Sequence, residues 1–306
     1  MNAFEIVDVD IRPLKSELFD PFTISKGTTS EVDNLLIKLT LNNGISGYGE
    51  IAPCEPLTGE NLHMSRVSVL QLGTVIKGLD CRNYRVISDI MFEKAPANPA
   101  ARCGLEMALL DALGRALDMP VYQLLGGRKA GRIITDITIP MLPMKRSMQL
   151  AEFWIKEGFK TLKIKVGTDL DHEIQLLKSI EAESRGTIRY ILDANQGFTT
   201  EEAILFLSEV LSFGCDIQLF EQPVDRDDLD GMAHIRKTSP VPIVADESVF
   251  TLGDLQKVIK KQAADVVNLK IMKSGILQTW EIANTAHNMG MRLMIGGMME
   301  TRLAMG

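Results

Sequence analysis

Five charged residues fall at near-even spacing along the second half of the chain, each at or beside the end of a short apolar run. Lys165 lies in TLKIKV, Asp193 follows YIL, Glu221 follows IQLF, Asp246 follows VPIVA and Lys270 follows DVVNL, at intervals of 28, 28, 25 and 24 residues. One such interval holds a strand, a helix and two short loops. Apolar runs that do not alternate with polar residues belong to strands buried on both faces. A helical pattern between successive runs makes each pair a right-handed strand-helix-strand unit of a parallel sheet.

In an open sheet the outer strands stand too far apart to share a site. In a closed barrel every carboxyl end opens onto one mouth, so residues about 25 positions apart converge. The pattern therefore predicts a barrel with strands at 133–139, 159–166, 188–195, 216–223, 241–248, 264–271 and 291–297. An eight-stranded ring has no eighth strand before GGMMETRLAMG ends the sequence. The expectation is that the sequence is incomplete at its carboxyl end, or that strand eight comes from elsewhere.

The first half reads differently. Alternating runs at 4–13 and 34–40, the turn NNG and the strand ISGYGE form an antiparallel meander. Helices follow at 62–79, at 83–92 and within 96–127, where Leu105, Ala108, Leu109, Ala112, Leu113 and Ala116 keep a helical repeat. Strands followed by helices make residues 1–128 an α+β capping domain, with residues 129–306 the barrel domain. Glu106 and Asp111 are read as structural charges with no role in chemistry. PFTISKGTTSE at 21–31, with Lys26 at its centre, and IAPCEPLTGE at 51–60, with Thr58, read as mobile loops that cover the mouth. The plainer alternative makes both of them hairpin turns.

Composition narrows the function classes. Lys and Arg number 33 against 40 Asp and Glu, a net charge of −7, and no basic block provides a phosphate track for nucleic acid. No apolar run reaches membrane-spanning length, and MNAFEIVDVD carries acids where a signal peptide needs a basic region. Four scattered cysteines with no CxxC fit a reducing cytoplasm. No GxGxxG or P-loop points to a nucleotide cofactor, and the four histidines have no ligand spacing.

Three carboxylates at one mouth, Asp193, Glu221 and Asp246, repel one another unless a cation lies among them. Hard oxygen donors without His or Cys favour Mg²⁺, with Mn²⁺ as a substitute. Lys165 and Lys270, on strands two and six, approach from opposite sides and suit a general base and its conjugate acid on opposite faces of a substrate. Lys163 shares the strand face of Lys165 and places positive charge near a substrate oxygen. Asn195 and Gln196 are expected to hydrogen-bond metal-bound water or ligands, and Glu247 to pair with or orient Lys270. Lys273 falls beyond the strand and is expected to stand outside the site. Together these groups can remove a weakly acidic proton next to a carboxylate. They can then return it on the far face, or assist loss of a β leaving group.

KIKVG, LDANQG, EQP, ADES and NLKIMKSG resemble the muconate-lactonising subgroup of the enolase superfamily, most closely its dipeptide epimerases of the L-Ala-D/L-Glu type. The resemblance extends to PFTISKGTT and GYGEIAPCEPLTGE. It implies a modified TIM barrel of (β/α)7β type under an N-terminal capping domain, with the present chain ending after barrel strand seven. It further implies Mg²⁺ on Asp193, Glu221 and Asp246, acid/base catalysis by Lys165 and Lys270, and Lys163 at the substrate carboxylate. The loops around Lys26 and Thr58 would close over the substrate. The implied reaction inverts the α-carbon of a dipeptide such as L-Ala-L-Glu by 1,1-proton transfer through a metal-stabilised enediolate. Related enzymes with the same lysines racemise N-acylamino acids, cycloisomerise muconates or form o-succinylbenzoate. A DxD sequence near strand eight, which in dipeptide epimerases binds the substrate ammonium, would lie past Gly306. Gly275–Ile276 stands where relatives commonly have two glycines. Family members often form dimers or octamers.

Overall fold

A computed structural model describes residues 2–24, 27–127 and 133–306. The first sheet is antiparallel, in the order β1 (Ile6–Ile24), β2 (Gly27–Leu41) and β3 (Ser46–Ile51). β1 and β2 run almost to the hairpin tip, pairing Thr23 with Thr28 and Ile24 with Gly27. The 21–31 segment is therefore mostly paired strand, which agrees with the hairpin alternative and not with a mobile loop. Its Thr-rich, β-branched sequence suits a ladder. Lys26 lies outside the described residues, as does the expected domain boundary at 128/129.

The helices of this half are α1 (Glu55–Thr58), α2 (Leu62–Ile76), α3 (Tyr84–Lys94), α4 (Pro99–Ala116) and α5 (Val121–Leu124). α4 is buried nearly all round, because one side packs on the sheet and the other meets the second half of the chain. Leu105, Ala108, Leu109 and Ala112 meet Leu35, Ile37 and Leu39 in one apolar cluster. Gly49 permits the close approach, since a Cβ there would stand 2.0 Å from the Gly104 carbonyl oxygen.

The second sheet is parallel, with seven strands in sequence order: β4 (Ile137–Ile139), β5 (Thr161–Lys165), β6 (Arg189–Asp193), β7 (Asp216–Glu221), β8 (Ile243–Ala245), β9 (Val266–Leu269) and β10 (Arg292–Ile295). The intervening helices are α6 (Met144–Lys156), α7 (Leu170–Ser184), α8 (Thr200–Ser212), α9 (Leu229–Thr238), α10 (Leu252–Lys261), α11 (Ile271–Ser274) and α12 (Ile276–Asn288), and α13 (Arg302–Met305) follows β10. This is a modified TIM barrel whose described strands end with the seventh. The first strand is shorter than its apolar run suggests: Ile133 and Ile134 are exposed, and pairing starts at Ile137 against Leu162. Strands β5, β6, β8 and β9 are almost wholly buried and β7 is half buried, and their outward side chains form one core with α7–α10. Among the described residues no helix is long and apolar enough to cross a membrane.

Candidate active site

The parallel ladder sets the chemistry in a row. Lys165 pairs across the ladder with Asp193, and Asp193 with Glu221, so three adjacent strands end at one level. Asp193, Glu221 and Asp246 are wholly buried, and Lys163, Lys165 and Lys270 nearly so. Lys163 bridges two of the acids, with Nζ 2.8 Å from Asp193 Oδ2 and 2.7 Å from Glu221 Oε2. Lys165 Nζ donates to Asp193 Oδ2 and to Asn195 Oδ1, both at 2.7 Å. On the other side Lys270, the first residue past β9, donates to Asp246 Oδ2 at 2.5 Å. The two lysines expected to face one another thus flank the carboxylates.

Lys273 corrects the sequence reading. Its buried Nζ donates to Asp246 Oδ1 at 2.8 Å, to the Asp246 carbonyl at 2.6 Å and to the Asn268 carbonyl at 2.9 Å. A single turn of helix, α11, folds it back under Lys270, a path that strand periodicity does not reveal. Asn268 was also passed over. Its Nδ2 donates to Glu221 Oε1 at 2.7 Å, and its only signal was a polar residue inside a buried run. Asn195 adopts a left-handed φ of 43° and donates through Nδ2 to Glu247 Oε1 at 3.0 Å. Glu247 therefore meets Asn195, where a pairing with Lys270 was one expectation. Gln196 accepts the Arg226 amide at 3.0 Å, so its side chain braces a neighbouring loop.

The electrostatics follow from burial opposed by charge. Burial works to raise the Asp193 carboxyl, but Lys163, Lys165 and Lys270 outweigh it and hold it below the usual carboxylate range. Asp246 is likewise lowered against its burial by Lys270 and Lys273. Glu221 goes the other way, to about 7, through burial and the neighbouring charges of Asp193 and Asp246. Burial would lower Lys270, yet Asp246, Glu221 and Glu247 together raise it. Lys163 is raised in the same manner by Asp193 and Glu221.

The donor set fits a hard divalent cation. Three buried carboxylates stand at the ends of neighbouring strands, Lys163 links two of them, and Glu247 Oε2 is buried without a hydrogen-bond partner. Among the described residues no three acids, histidines or cysteines stand at metal-holding distance by themselves, Lys163 lying between Asp193 and Glu221. A cation would take over the charge balance that the ammonium groups supply here.

The 51–60 segment comes near this mouth at Cys54. Burial raises the Cys54 thiol, which also senses the charges of Lys270 and Glu247. Thr58 itself closes the α1 turn, donating to the Cys54 carbonyl at 3.0 Å and accepting from the Glu60 amide at 3.2 Å. From the far side Glu50 on β3 grips the segment after β10. It accepts Thr301 N at 2.7 Å, Thr301 Oγ1 at 2.6 Å and Ala304 N at 3.3 Å, as well as Asn34 Nδ2 at 2.7 Å. A separate cavity of about 520 Å³, lined by Arg236, Asp265 and Arg292 among others, lies at the amino ends of β8–β10, away from the lysines.

Comparisons with known proteins cover both halves of the chain. Residues 6–126 match the mandelate racemase/muconate lactonizing enzyme N-terminal domain, and residues 146–305 match the enolase C-terminal domain-like family. An L-Ala-D/L-amino acid epimerase of Populus trichocarpa is 38% identical over 99% of this chain and 73% of its own length. An L-Ala-D/L-Glu epimerase of Thermotoga maritima is 37% identical over 97% of this chain and 86% of its own. The crystal structure of a dipeptide epimerase from Enterococcus faecalis V583, complexed with Mg and the dipeptide L-Leu-L-Tyr, is 35% identical. It superposes with a TM-score of 0.93 over 98% of this chain and 84% of that one.

Proposed function

Because this chain belongs to the mandelate racemase/muconate lactonizing enzyme subgroup of the enolase superfamily, we propose that its lysines invert the α-carbon of a dipeptide, with Lys165 and Lys270 as the two acid/base groups. The chain is an isomerase that acts on a small carboxylate. The observation that carries the assignment is the placement of Lys165 and Lys270 on opposite sides of the buried carboxylates.

A substrate α-carbon between the two amines loses its proton to the neutral lysine on one face. The C–H electron pair passes onto the adjacent carboxylate as an enediolate, and the ammonium on the opposite face then delivers a proton to the same carbon. One C–H bond breaks and one forms, with inversion and no net change in oxidation state. Lys270, which donates to Asp246, serves as the acid for one direction. Lys163, kept charged between Asp193 and Glu221, provides fixed positive charge beside the enediolate oxygens. Mg²⁺ held by Asp193, Glu221 and Asp246 would supply Lewis-acid stabilisation of the same negative charge. Asn195 orients Lys165, and Lys273 keeps Asp246 in place from beneath.

A dipeptide as the substrate is supported by the names of the relatives and by a site built for proton exchange next to a carboxylate. The test is incubation with Mg²⁺ and a panel of L,L-dipeptides in D₂O, with mass spectrometry of the α-position and chiral analysis of the product. Deuterium entering with inversion is expected. Its absence on every dipeptide would pass the assignment to N-acylamino acids or muconates.

A further inference from the structure

We infer that Glu106, on capping helix α4, is a positioning residue that sets where Lys270 stands and does not act on Lys165. The inference rests on the two-base reading above. Glu106 is almost completely buried, and one of its oxygens accepts the amides of Ile276 at 2.5 Å and Leu277 at 3.3 Å. Those are the first two residues of α12, whose amides have no partner within the helix. A carboxylate there satisfies the unpaired donors and the positive end of the helix dipole together. The other oxygen accepts the Ser88 hydroxyl from α3, so the carboxylate is fixed from behind.

The chain between Glu106 and Lys270 has little slack. Gly275 donates its amide to the Ile271 carbonyl at 2.7 Å, and Lys273 donates its own to the Lys270 carbonyl at 3.0 Å, closing α11 as one tight turn. Gly275 has a left-handed φ of 91°, and a Cβ there would lie 2.8 Å from the Glu106 carboxylate. One helical turn before Glu106, Arg102 reaches the Ser274 carbonyl at 3.4 Å and lies over the Phe92 ring. The capping helix therefore holds the backbone on both sides of Gly275, five residues past Lys270. Glu106 bonds neither to Lys165 nor to its partners Asp193 and Asn195, since its own partners are Ser88, Ile276 and Leu277.

This asymmetry gives a readout that general damage to the fold does not imitate. In a two-base site, a lysine with an impaired partner still removes a proton, exchanges it with solvent and returns it to the same face. Wild type, E106A, E106Q and S88A would be compared with Mg²⁺ in D₂O, starting separately from each dipeptide epimer. A displacement of about 1 Å costs on the order of 10²-fold, so E106A is expected to lose about that factor in kcat for inversion. Exchange with retention should persist for the epimer whose proton faces Lys165 and fall for the other. E106Q should recover most of the activity, because its amide oxygen can accept from Ile276 while its NH₂ donates to Ser88. S88A should show the same asymmetry to a smaller degree, and it serves in place of E106A if that variant does not fold. Unchanged inversion, or equal losses from both epimers, would overturn the inference.

Amide hydrogen exchange across residues 270–279 needs no turnover. Faster exchange in E106A or S88A, restored in E106Q, is expected, and unchanged protection would overturn the proposal. If wild type acts on no dipeptide, the assignment of function fails, while this second comparison still decides the role of Glu106.

Discussion

Asn195 Nδ2 donates to Glu247 Oε1 at 3.0 Å, joining the carboxyl ends of β6 and β8 across β7. The same side chain accepts from Lys165 at 2.7 Å, so one amide orients a base and satisfies an acid. N195A removes both bonds and leaves Glu247 with neither oxygen paired. Loss of such a supporting partner typically costs ~10–100-fold, and kcat should fall by that much with a weaker Mg²⁺ requirement curve. Steady-state kinetics across a Mg²⁺ titration check it; unchanged kinetics would remove Asn195 from the site.

Substitution of either flanking lysine should abolish inversion and spare half of the exchange. General acid–base groups contribute ~10²–10⁴-fold, so K165A and K270A should each lose at least that. Each should also retain solvent exchange only at the face of the surviving lysine. Inversion that survives either change would mean that the two-base assignment is wrong.

Chelation should stop turnover, and Mg²⁺ or Mn²⁺ should restore it. A ligand bound only by the folded chain stabilises it, by about 2.7 kcal/mol at a hundredfold excess over Kd. Differential scanning calorimetry with and without Mg²⁺ should therefore show a higher unfolding temperature with the metal. A midpoint indifferent to Mg²⁺, together with activity in chelator, would exclude the ion from the carboxylate row.

Glu50 is wholly buried and takes four donors, two of them from Thr301. E50A leaves those groups buried without a partner and should cost about 3 kcal/mol. E50Q should cost less, since its amide can donate to Thr301 Oγ1 but faces the Ala304 amide. Urea unfolding of the three proteins orders them, and equal midpoints would show that the cap does not hold this segment.

Glu106 also predicts a pH dependence. Burial raises its carboxyl above the ordinary value of 4.5, so the folded chain binds this proton more tightly than the unfolded chain. Its contribution to stability is full below the ordinary glutamate range and is lost as pH rises through the raised value. The difference in unfolding free energy between E106Q and wild type should therefore grow in favour of E106Q from acid toward neutral pH. A flat difference would mean that Glu106 titrates alike in both states.

The barrel half was legible because burial on both faces leaves a simple record: an apolar run, then a polar residue at the mouth. That is why Asp193, Glu221, Asp246, Lys165 and Lys270 could be read as one set. Glu50 and Glu106 left no such record, since their partners Thr301 and Ile276 are 251 and 170 positions away and donate mainly through backbone amides. Asp111, read as structural, accepts the Tyr48 amide at 2.9 Å and pairs with Arg115. Lys273 was misjudged because a one-turn helix has too few residues for periodicity. The 21–31 segment left two readings open because Thr, Ser and Gly serve a long hairpin as well as a loop, and the pairing of β1 with β2 decides for the hairpin.

The shared level of Lys165, Asp193 and Glu221 is a property of backbone pairing, since each is the direct ladder partner of the next. Inserting or deleting one residue within β5, β6 or β7 would turn the side chain away from the mouth. The cap strands belong to a separate sheet and take no part in that pairing. The architecture divides its dependence: the carboxylate row answers to ladder register within the barrel, whereas the backbone just beyond Lys270 answers to the cap through Glu106.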